Sequence, residues 1–156
     1  MRVLIACEES QAVTKAFRAL GHEAYSCDLL PCSGGHPEWH FQQSVFEVID
    51  KGWDLMIAHP PCTFLSVSGA RHLYNKDKTP NLERYKKQAE ALEFVQKLMD
   101  ADVPRIVIEN PVSVISSKIR QTRQNCGVTP EKLMVKNQYE KILGIVLVCI
   151  QKNQKF

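Results

Sequence analysis

Short apolar segments alternate with helix-forming and turn-forming segments along the first two thirds of the chain. Residues 3–7, 55–58 and 105–109 are runs of mainly apolar residues, residues 22–27 are a further strand segment of mixed composition, and each of the four is followed by a polar residue. Runs of this length that are apolar on both sides are typical of strands covered on both faces of a sheet. We therefore expect four buried strands.

Helical periodicity occupies the intervals between these strands. Residues 11–20 place apolar side chains on one face and end before Gly21, and residues 82–101 form a longer amphipathic stripe. Residues 45–50 predict one or two further helical turns. Strands that alternate with helices indicate parallel βαβ units. We predict an α/β fold, a Rossmann-like, doubly wound and mostly parallel sheet with helices on both faces.

The chain after Val112 carries weaker signals. Residues 131–143 are compatible with a helix, and residues 145–150 with a last apolar strand. No repeat, long linker or change of composition marks a boundary. We expect one domain over residues 1–156.

Composition and charge narrow the function only a little. The chain is 44% hydrophobic and 24% charged with a net charge of +3, which permits an anionic partner but lacks the strong basic bias of a dedicated nucleic-acid-binding protein. No segment resembles a secretion signal or reaches the length of a membrane span. We expect a cytoplasmic protein that does not contact a membrane, with most of its cysteines reduced.

Three chemically active side chains follow predicted strands. Asp28 follows the second, Glu109 ends the fourth, and Cys62 follows the third after the Pro60-Pro61 pair. Proline fixes φ and removes a backbone donor, so the chain must leave the sheet there. Carboxyl ends of parallel strands share one edge, where open α/β sheets bind ligands. This arrangement suggests covalent catalysis by Cys62, with Glu109 as proton donor or hydrogen-bond partner.

Other polar residues leave two interpretations open. Between Cys27 and His40 the chain has zinc-type ligands without a close Cys-x2-Cys pair, so a loop beside the ligand pocket is favoured and no metal is predicted. His59 is either a catalytic base or an ordinary loop histidine. A basic stretch after the thiol either binds a phosphate and stacks on a base or is simply solvated. That stretch contains Arg71, His72, Tyr74, Lys76 and Lys78.

Two motifs, in this order, resemble those of the DNA cytosine-5 methyltransferases. Residues 54–69 are similar to the Pro-Pro-Cys nucleophile loop with its trailing Phe-Ser and Gly, and residues 108–111 are similar to the Glu-Asn-Val motif. The opening Leu4-Ile-Ala-Cys7-Glu8 and the Ala-His-Pro-Pro-Cys loop also resemble short phage and prophage methyltransferase-like proteins. That closer resemblance covers about residues 1–112 by eye.

The resemblance implies a transferase that uses S-adenosylmethionine on the cytosine base of DNA or of a nucleotide. Cys62 would attack carbon 6 of the ring while Glu109 contacts nitrogen 3, so that carbon 5 can take a methyl group. It also implies a location in a bacterial cell or a phage-infected host. The implied cofactor-binding residues are Cys7, Glu8, Asp28, Leu29 and Pro60, and the implied substrate-binding residues are His59, Pro61, Ser66, Arg71 and Asn110.

The chain also departs from the family pattern. Residues 6–11 contain no glycine where the family has a glycine-rich turn, and Gln43-Ser44 stands where an aspartate would meet the adenine. Close approach of a backbone to a cofactor is harder without glycine. No separate target-recognition domain fits after Val112, so a homo-oligomer or a protein partner would supply recognition of the substrate, or the substrate is a single strand or free nucleotide.

Two alternatives follow. The first is a catalytically inactive phage or prophage protein that binds a nucleotide or nucleic acid in the same crevice and interferes with host modification or defence. The second is methylation of an exocyclic amine, since those enzymes also carry a Pro-Pro loop after this strand but do not need the Cys62 thiol.

Overall fold

The computed structural model describes residues 1–111, 113–115 and 145–151, with residues 70, 71 and 145–151 described by backbone alone. The described strands form one sheet in the order β3-β2-β1-β4-β5-β6. The strands are β1 (Arg2–Ala6), β2 (Glu23–Asp28), β3 (His40–Gln42), β4 (Leu55–Ala58), β5 (Arg105–Pro111) and β6 (Ile145–Gln151). The helices are α1 (Ala12–Ala19) and α2 (Leu82–Asp100), with 3-10 turns at Pro37–Trp39, Val45–Glu47 and Val67–Leu73.

Strands β1 to β5 pair in parallel, and β6 pairs with β5 in the antiparallel direction. The chain builds outward from β1 to β3 and then returns to add β4 on the other side of β1. The strand order therefore reverses between β1 and β4, which is the point where doubly wound sheets bind ligands. The predicted α/β, Rossmann-like and mostly parallel sheet is confirmed.

Alternate side chains of the strands build a separate core on each face of the sheet. Val3 and Ile5 pack with Phe17 of α1, whereas Leu4 packs on the other face with Leu98 of α2. Side chains of successive strand residues point to opposite faces. The two helices therefore cover opposite faces, as predicted, and the buried β4 is apolar along its whole length.

The four predicted inner strands and both predicted helices lie within about two residues of their expected bounds, which is ordinary uncertainty for element ends. The strand predicted at residues 145–150 is β6. The edge strand β3 was missed, and residues 45–50 form only the short 3-10 turn Val45–Glu47. The helix predicted at residues 131–143 lies outside the described residues.

Across the described residues, no helix is both long and apolar enough to cross a membrane.

The turn between β1 and α1 is built from left-handed residues that are not glycines. Cys7 has φ 59° and Gln11 has φ 57°. The Gln11 side chain, which is fully buried, donates to the carbonyl of His36 at 2.7 Å and accepts from the amide of His36 at 3.0 Å. This pair of bonds fixes the loop after β2 against the start of α1.

Gly34 allows this loop to lie directly on the β1–α1 turn. A Cβ atom at Gly34 would lie 2.5 Å from the Ser10 carbonyl oxygen and 2.5 Å from Gln11 Cβ. Neither neighbour is the end of a flexible side chain, so the backbone would have to shift. The contact depends on the missing side chain.

We expect Gly34→Ala to lower the free energy of unfolding by about 3 kcal/mol or more, because it overpacks a backbone contact. Gly21→Ala is the matched control: Gly21 has φ 81° with open space around it, so only left-handed strain of about 1–2 kcal/mol applies. Urea denaturation of both variants measures the difference. Equal losses would contradict the close contact.

Candidate functional site

A cavity of about 250 Å³ opens at the carboxyl edge of the sheet, at the reversal between β1 and β4. Its walls come from the end of β2, from the segments after β1, β2, β3 and β4, and from α2. It is lined by Cys7, Cys27, Asp28, Leu29, Gln43, Ser44, Val45, Pro60, Pro61, Phe64, Ala91 and Phe94. Apolar and aromatic side chains with a few polar groups are typical of pockets for small organic ligands.

Four of the five residues predicted to bind the cofactor line this cavity, namely Cys7, Asp28, Leu29 and Pro60. Their contact with a cofactor stays a prediction. Glu8 requires a correction, because it is 6% exposed and its carboxylate is engaged by the first turn of α1. It accepts from the amides of Val13 and Thr14 at 2.6 and 3.2 Å and from the Thr14 hydroxyl at 2.7 Å. Glu8 therefore caps α1 and complements its dipole.

Cys7 adopts the backbone conformation that a glycine would have in the turn after β1. Its φ of 59° lies in the left-handed region that glycine enters readily and other residues enter at a cost of about 1–2 kcal/mol. The backbone thus makes a glycine-like turn after β1, while a thiol lines the cavity where a glycine would leave space.

Asp28 is held in place by its own loop. Its Oδ1 accepts from the amide of Leu30 at 2.9 Å, a local turn that orients the carboxylate. The side chain is half-buried and lines the cavity. One carboxylate oxygen is therefore fixed by the backbone of the loop.

The two thiols beside Asp28 are protonated. Burial raises the pKa of Cys7 to about 12 and that of Cys27 to about 11, and the negative charge of Asp28 adds to both shifts. Cys27 donates to the carbonyl of Gln43 at 3.3 Å. Both therefore act as small apolar groups of the cavity wall.

The loop after β4, residues 59–66, is fixed through its carbonyl groups. The Pro60 carbonyl accepts from the Asn110 side chain at 3.0 Å. Those of Thr63 and Phe64 accept from Arg84 at 2.8 Å and Gln88 at 3.0 Å. The donors Arg84 and Gln88 stand one turn apart on α2, on the same face of the helix.

Backbone amides bond two further carbonyl groups of this loop. The Cys62 carbonyl accepts from the amides of Leu65 and Ser66 at 3.0 and 2.9 Å, and the Leu65 carbonyl accepts from the amide of Val114 at 2.9 Å. Cys62 itself is half-buried. The loop therefore holds a partly exposed cysteine in place through hydrogen bonds to its carbonyl groups.

Gly69 allows Arg84 to approach this loop. A Cβ atom at Gly69 would lie 2.9 Å from the Arg84 guanidinium and 3.0 Å from the Thr63 carbonyl oxygen. The Arg84 guanidinium also lies over the Phe64 ring at 4.9 Å. The trailing glycine of the predicted motif thus serves packing against the loop.

Glu109 lies beside the same loop and contacts His59. The Nδ1 atom of His59 and the Oε2 atom of Glu109 are 2.9 Å apart. Cys62, His59 and Glu109 are not among the residues that line the cavity, whereas Pro60 and Pro61 are. The predicted catalytic residues therefore stand next to the cavity, with the double proline between cavity and thiol in the chain.

The predicted substrate-binding residues have different positions. Asn110 is 2% exposed; its amide nitrogen bonds the loop at Pro60, whereas its Oδ1 has no partner among the described residues, and its contact with a substrate stays a prediction. Pro61 is exposed and lines the cavity. Ser66 is half-buried, and its hydroxyl accepts from that of Ser68 at 3.1 Å. The side chain of Arg71 lies outside the described part of the structure.

The zinc-type residues between β2 and β3 have other partners. The His36 ring stacks on Trp39 with centroids 3.8 Å apart. His40 contacts the Ser26 hydroxyl at 2.8 Å and the Leu30 carbonyl at 2.9 Å. Within the described ranges, no group of three or more His, Cys, Asp or Glu side chains is arranged to hold a metal ion.

The basic stretch after the thiol loop is exposed. Tyr74 is 54% exposed and packs edge-on against Tyr85 of α2 with centroids 6.4 Å apart. Lys76 and Lys78 lie on the same exposed turn. Their role in binding a phosphate or a base stays a prediction.

Several residues of the site were missed from sequence. Gln11, Arg84 and Gln88 act on loops distant in the chain, and no local pattern marks a side chain that bonds a remote carbonyl. Phe64 and Phe94 were missed because aromatic residues are usually core residues.

Comparison of the chain with models of known protein families and with curated proteins finds no match.

We expect Gln88→Met to lower the free energy of unfolding by about 1–3 kcal/mol, because it leaves the Phe64 carbonyl without its donor. Gln96→Met on the same helix is the matched control, since Gln96 bonds the exposed Asp100 at 3.0 Å, and should change stability by less than about 0.5 kcal/mol. Urea denaturation gives both values. A Gln88→Met variant as stable as the wild type would mean that Gln88 does not hold the loop.

Alkylation by iodoacetamide at pH 8, mapped by mass spectrometry, should spare Cys7 and Cys27 and modify Cys62. Their pKa values of about 12 and 11, from an ordinary 9.0, reduce the thiolate fraction about 1,000-fold and 100-fold. Because their pKa is raised in the folded state, reactivity should rise only toward pH 11, and folding should weaken above pH 9. Modification of Cys7 before Cys62 in the folded protein would contradict this ordering.

Proposed function

We propose that this protein is an S-adenosylmethionine-dependent methyltransferase that acts on the cytosine base of DNA or of a nucleotide through Cys62. One observation carries the proposal: the loop that forms a wall of the cavity through Pro60 and Pro61 also carries the half-buried Cys62. A ligand in the cavity and a base at the thiol would therefore be neighbours. Such an enzyme would work in the cytoplasm of a bacterial cell or a phage-infected host.

The cavity suits a nucleoside better than a phosphorylated cofactor. Its described lining has one charged side chain, Asp28, and no Lys, Arg or His, which are the residues that recognise phosphates. A carboxylate at the end of β2 is placed to accept from ribose hydroxyls. At about 250 Å³ the cavity is smaller than the ~300–1,000 Å³ of pockets for larger ligands, so it would enclose the adenosine part.

Three groups of residues would hold such a cofactor. Asp28 would bond the ribose, Val45 and Phe94 would pack against the base, and Ser44 would offer a polar contact where the resembled family has an aspartate. S-adenosylmethionine supplies an electrophilic methyl group when bound. The fit rests on one carboxylate among apolar walls, without a phosphate site.

The chemistry on the base would belong to Cys62 and Glu109. The Cys62 thiolate forms a bond to carbon 6, and the π electron pair of the carbon 5–carbon 6 bond moves to make carbon 5 nucleophilic. Glu109 would donate a proton to ring nitrogen 3, which takes up the negative charge of the adduct. After methylation, the proton on carbon 5 passes to water, nitrogen 3 returns its proton to Glu109, and the bond between Sγ and carbon 6 breaks, which returns the thiolate. The rigid loop would keep Sγ in line for both steps.

A DNA partner is part of the same proposal. The exposed Tyr74 and the neighbouring lysines flank the thiol loop, and stacking with phosphate contacts is how proteins hold single strands. A second copy of the chain or another protein would be needed for reading a duplex, which normally buries about 1,000–2,500 Å² of protein surface.

Isothermal titration calorimetry with S-adenosylmethionine and S-adenosylhomocysteine tests the proposal. We expect saturable binding that Asp28→Asn weakens about 10-fold or more, because it removes the carboxylate charge while an amide oxygen can still accept from the Leu30 amide. Asp50→Asn, at an exposed position away from the cavity, should bind as the wild type does.

Absence of binding at millimolar concentrations of both compounds would overturn the proposal. Binding of free nucleosides without either compound would instead favour the alternative, a catalytically inactive nucleotide-binding protein. The observation that favours this inactive nucleotide-binding protein is that Cys62 and Glu109 are not among the residues that line the cavity.

A further inference from the structure

The side chains of His59 and Glu109 are placed together by the sheet itself. The register pairs Ala58 with Ile108 across β4 and β5, and His59 and Glu109 follow these two residues directly in the chain. Their side chains are 26% and 24% exposed, with Nδ1 and Oε2 2.9 Å apart. The pair is thus mostly withdrawn from solvent, but the carboxyl group remains reachable.

The surroundings of His59 define which of its nitrogens carries a proton. Its Nε2 atom is buried and has no hydrogen-bond partner among the described residues. Nε2 lacks a partner whether or not it carries a proton, so the contact at Nδ1 decides the tautomer. A carboxyl oxygen that carries no proton only accepts hydrogen bonds, so Nδ1 is the donor to Oε2. The contact therefore fits a neutral imidazole that is protonated on Nδ1 and donates to Oε2.

We propose that His59 is a positioning residue for Glu109. Its bond to Oε2 fixes the rotation of the carboxyl group and leaves Oε1 as the atom that contacts the base. This inference rests on the proposed function, in which Glu109 contacts the cytosine ring. It replaces the prediction that His59 binds the substrate itself, because the nitrogen that Glu109 does not use is buried.

Loss of this bond would let the long Glu109 side chain rotate between several rotamers. Misplacement of a reacting group by about 1 Å can lower a rate about 100-fold. We therefore expect His59→Ala to lower kcat about 100-fold in a methylation assay on cytosine-containing single-stranded DNA, with KM changed only a few-fold.

The conservative variant distinguishes positioning from simple packing. In His59→Asn the side-chain amide places a donor near the position of Nδ1, so this variant should recover kcat to within about 10-fold of the wild type. His22→Ala serves as the control, because His22 packs against Phe17 with centroids 5.8 Å apart at the opposite edge of the sheet. It should leave kcat unchanged.

A spectroscopic measurement tests the contact without any catalysis. In ¹⁵N-histidine-labelled wild-type protein, the His59 ring should show a protonated Nδ1 and an unprotonated Nε2, and Glu109→Leu should abolish this signature. A wild-type spectrum with the proton on Nε2, or a His59→Ala variant with wild-type kcat, would overturn the inference. If the wild type transfers no methyl group, the proposed function fails, and the spectrum alone decides whether His59 orients Glu109.

Discussion

The hydrogen bonds to the carbonyl groups of the loop after β4 are the constraint on which the site depends. Pro60 and Pro61 have no backbone N–H, so they supply no donors, and within the loop only the Cys62 carbonyl is bonded by amides of the loop itself among the hydrogen bonds described above. The Pro60 carbonyl is bonded by Asn110 of β5, and α2 supplies Arg84 and Gln88 to the next residues. The thiol position is therefore set by the packing of α2 and β5.

The turn after β1 holds the other wall of the cavity, on the opposite side of the point where the strand order reverses. Gln11 fixes the loop that follows β2, and Glu8 fixes the start of α1. Between the two turns lies the cavity, with the Asp28 carboxylate in its wall. On the β1 side, the side chains of Gln11 and Glu8 have hydrogen-bond partners; on the β4 side, Asn110 bonds Pro60 through its amide nitrogen, while its Oδ1 and the Nε2 of His59 have no partner among the described residues.

The periodicity of apolar residues was sufficient to predict the inner strands and both helices. Burial of one or both faces of an element leaves a regular apolar pattern that can be read from neighbouring residues in the sequence. β3 was not predicted because it is only three residues long and lies at the edge of the sheet. Its side chains are less buried than those of the inner strands, so its sequence shows no clear apolar pattern. Strand ends brought Asp28, Cys62 and Glu109 to one edge as expected. The roles of Glu8 and Asn110 could not be read in this way, since a buried carboxylate or amide finds its partner only in three dimensions. The same holds for the left-handed Cys7, whose conformation is imposed by the turn and not by its own preference.

The most direct test of the central claim is covalent trapping of Cys62. An oligonucleotide containing 5-fluorocytosine, incubated with the protein and S-adenosylmethionine, keeps its bond to an attacking thiol after methylation because fluorine cannot leave carbon 5 as a cation. Intact-mass spectrometry should show the adduct in the wild type and its loss in Cys62→Ser. Methylated product without an adduct, retained in Cys62→Ser, would contradict the covalent mechanism and indicate methylation of an exocyclic amine. The absence of both the adduct and the methylated product would contradict methyl transfer to cytosine.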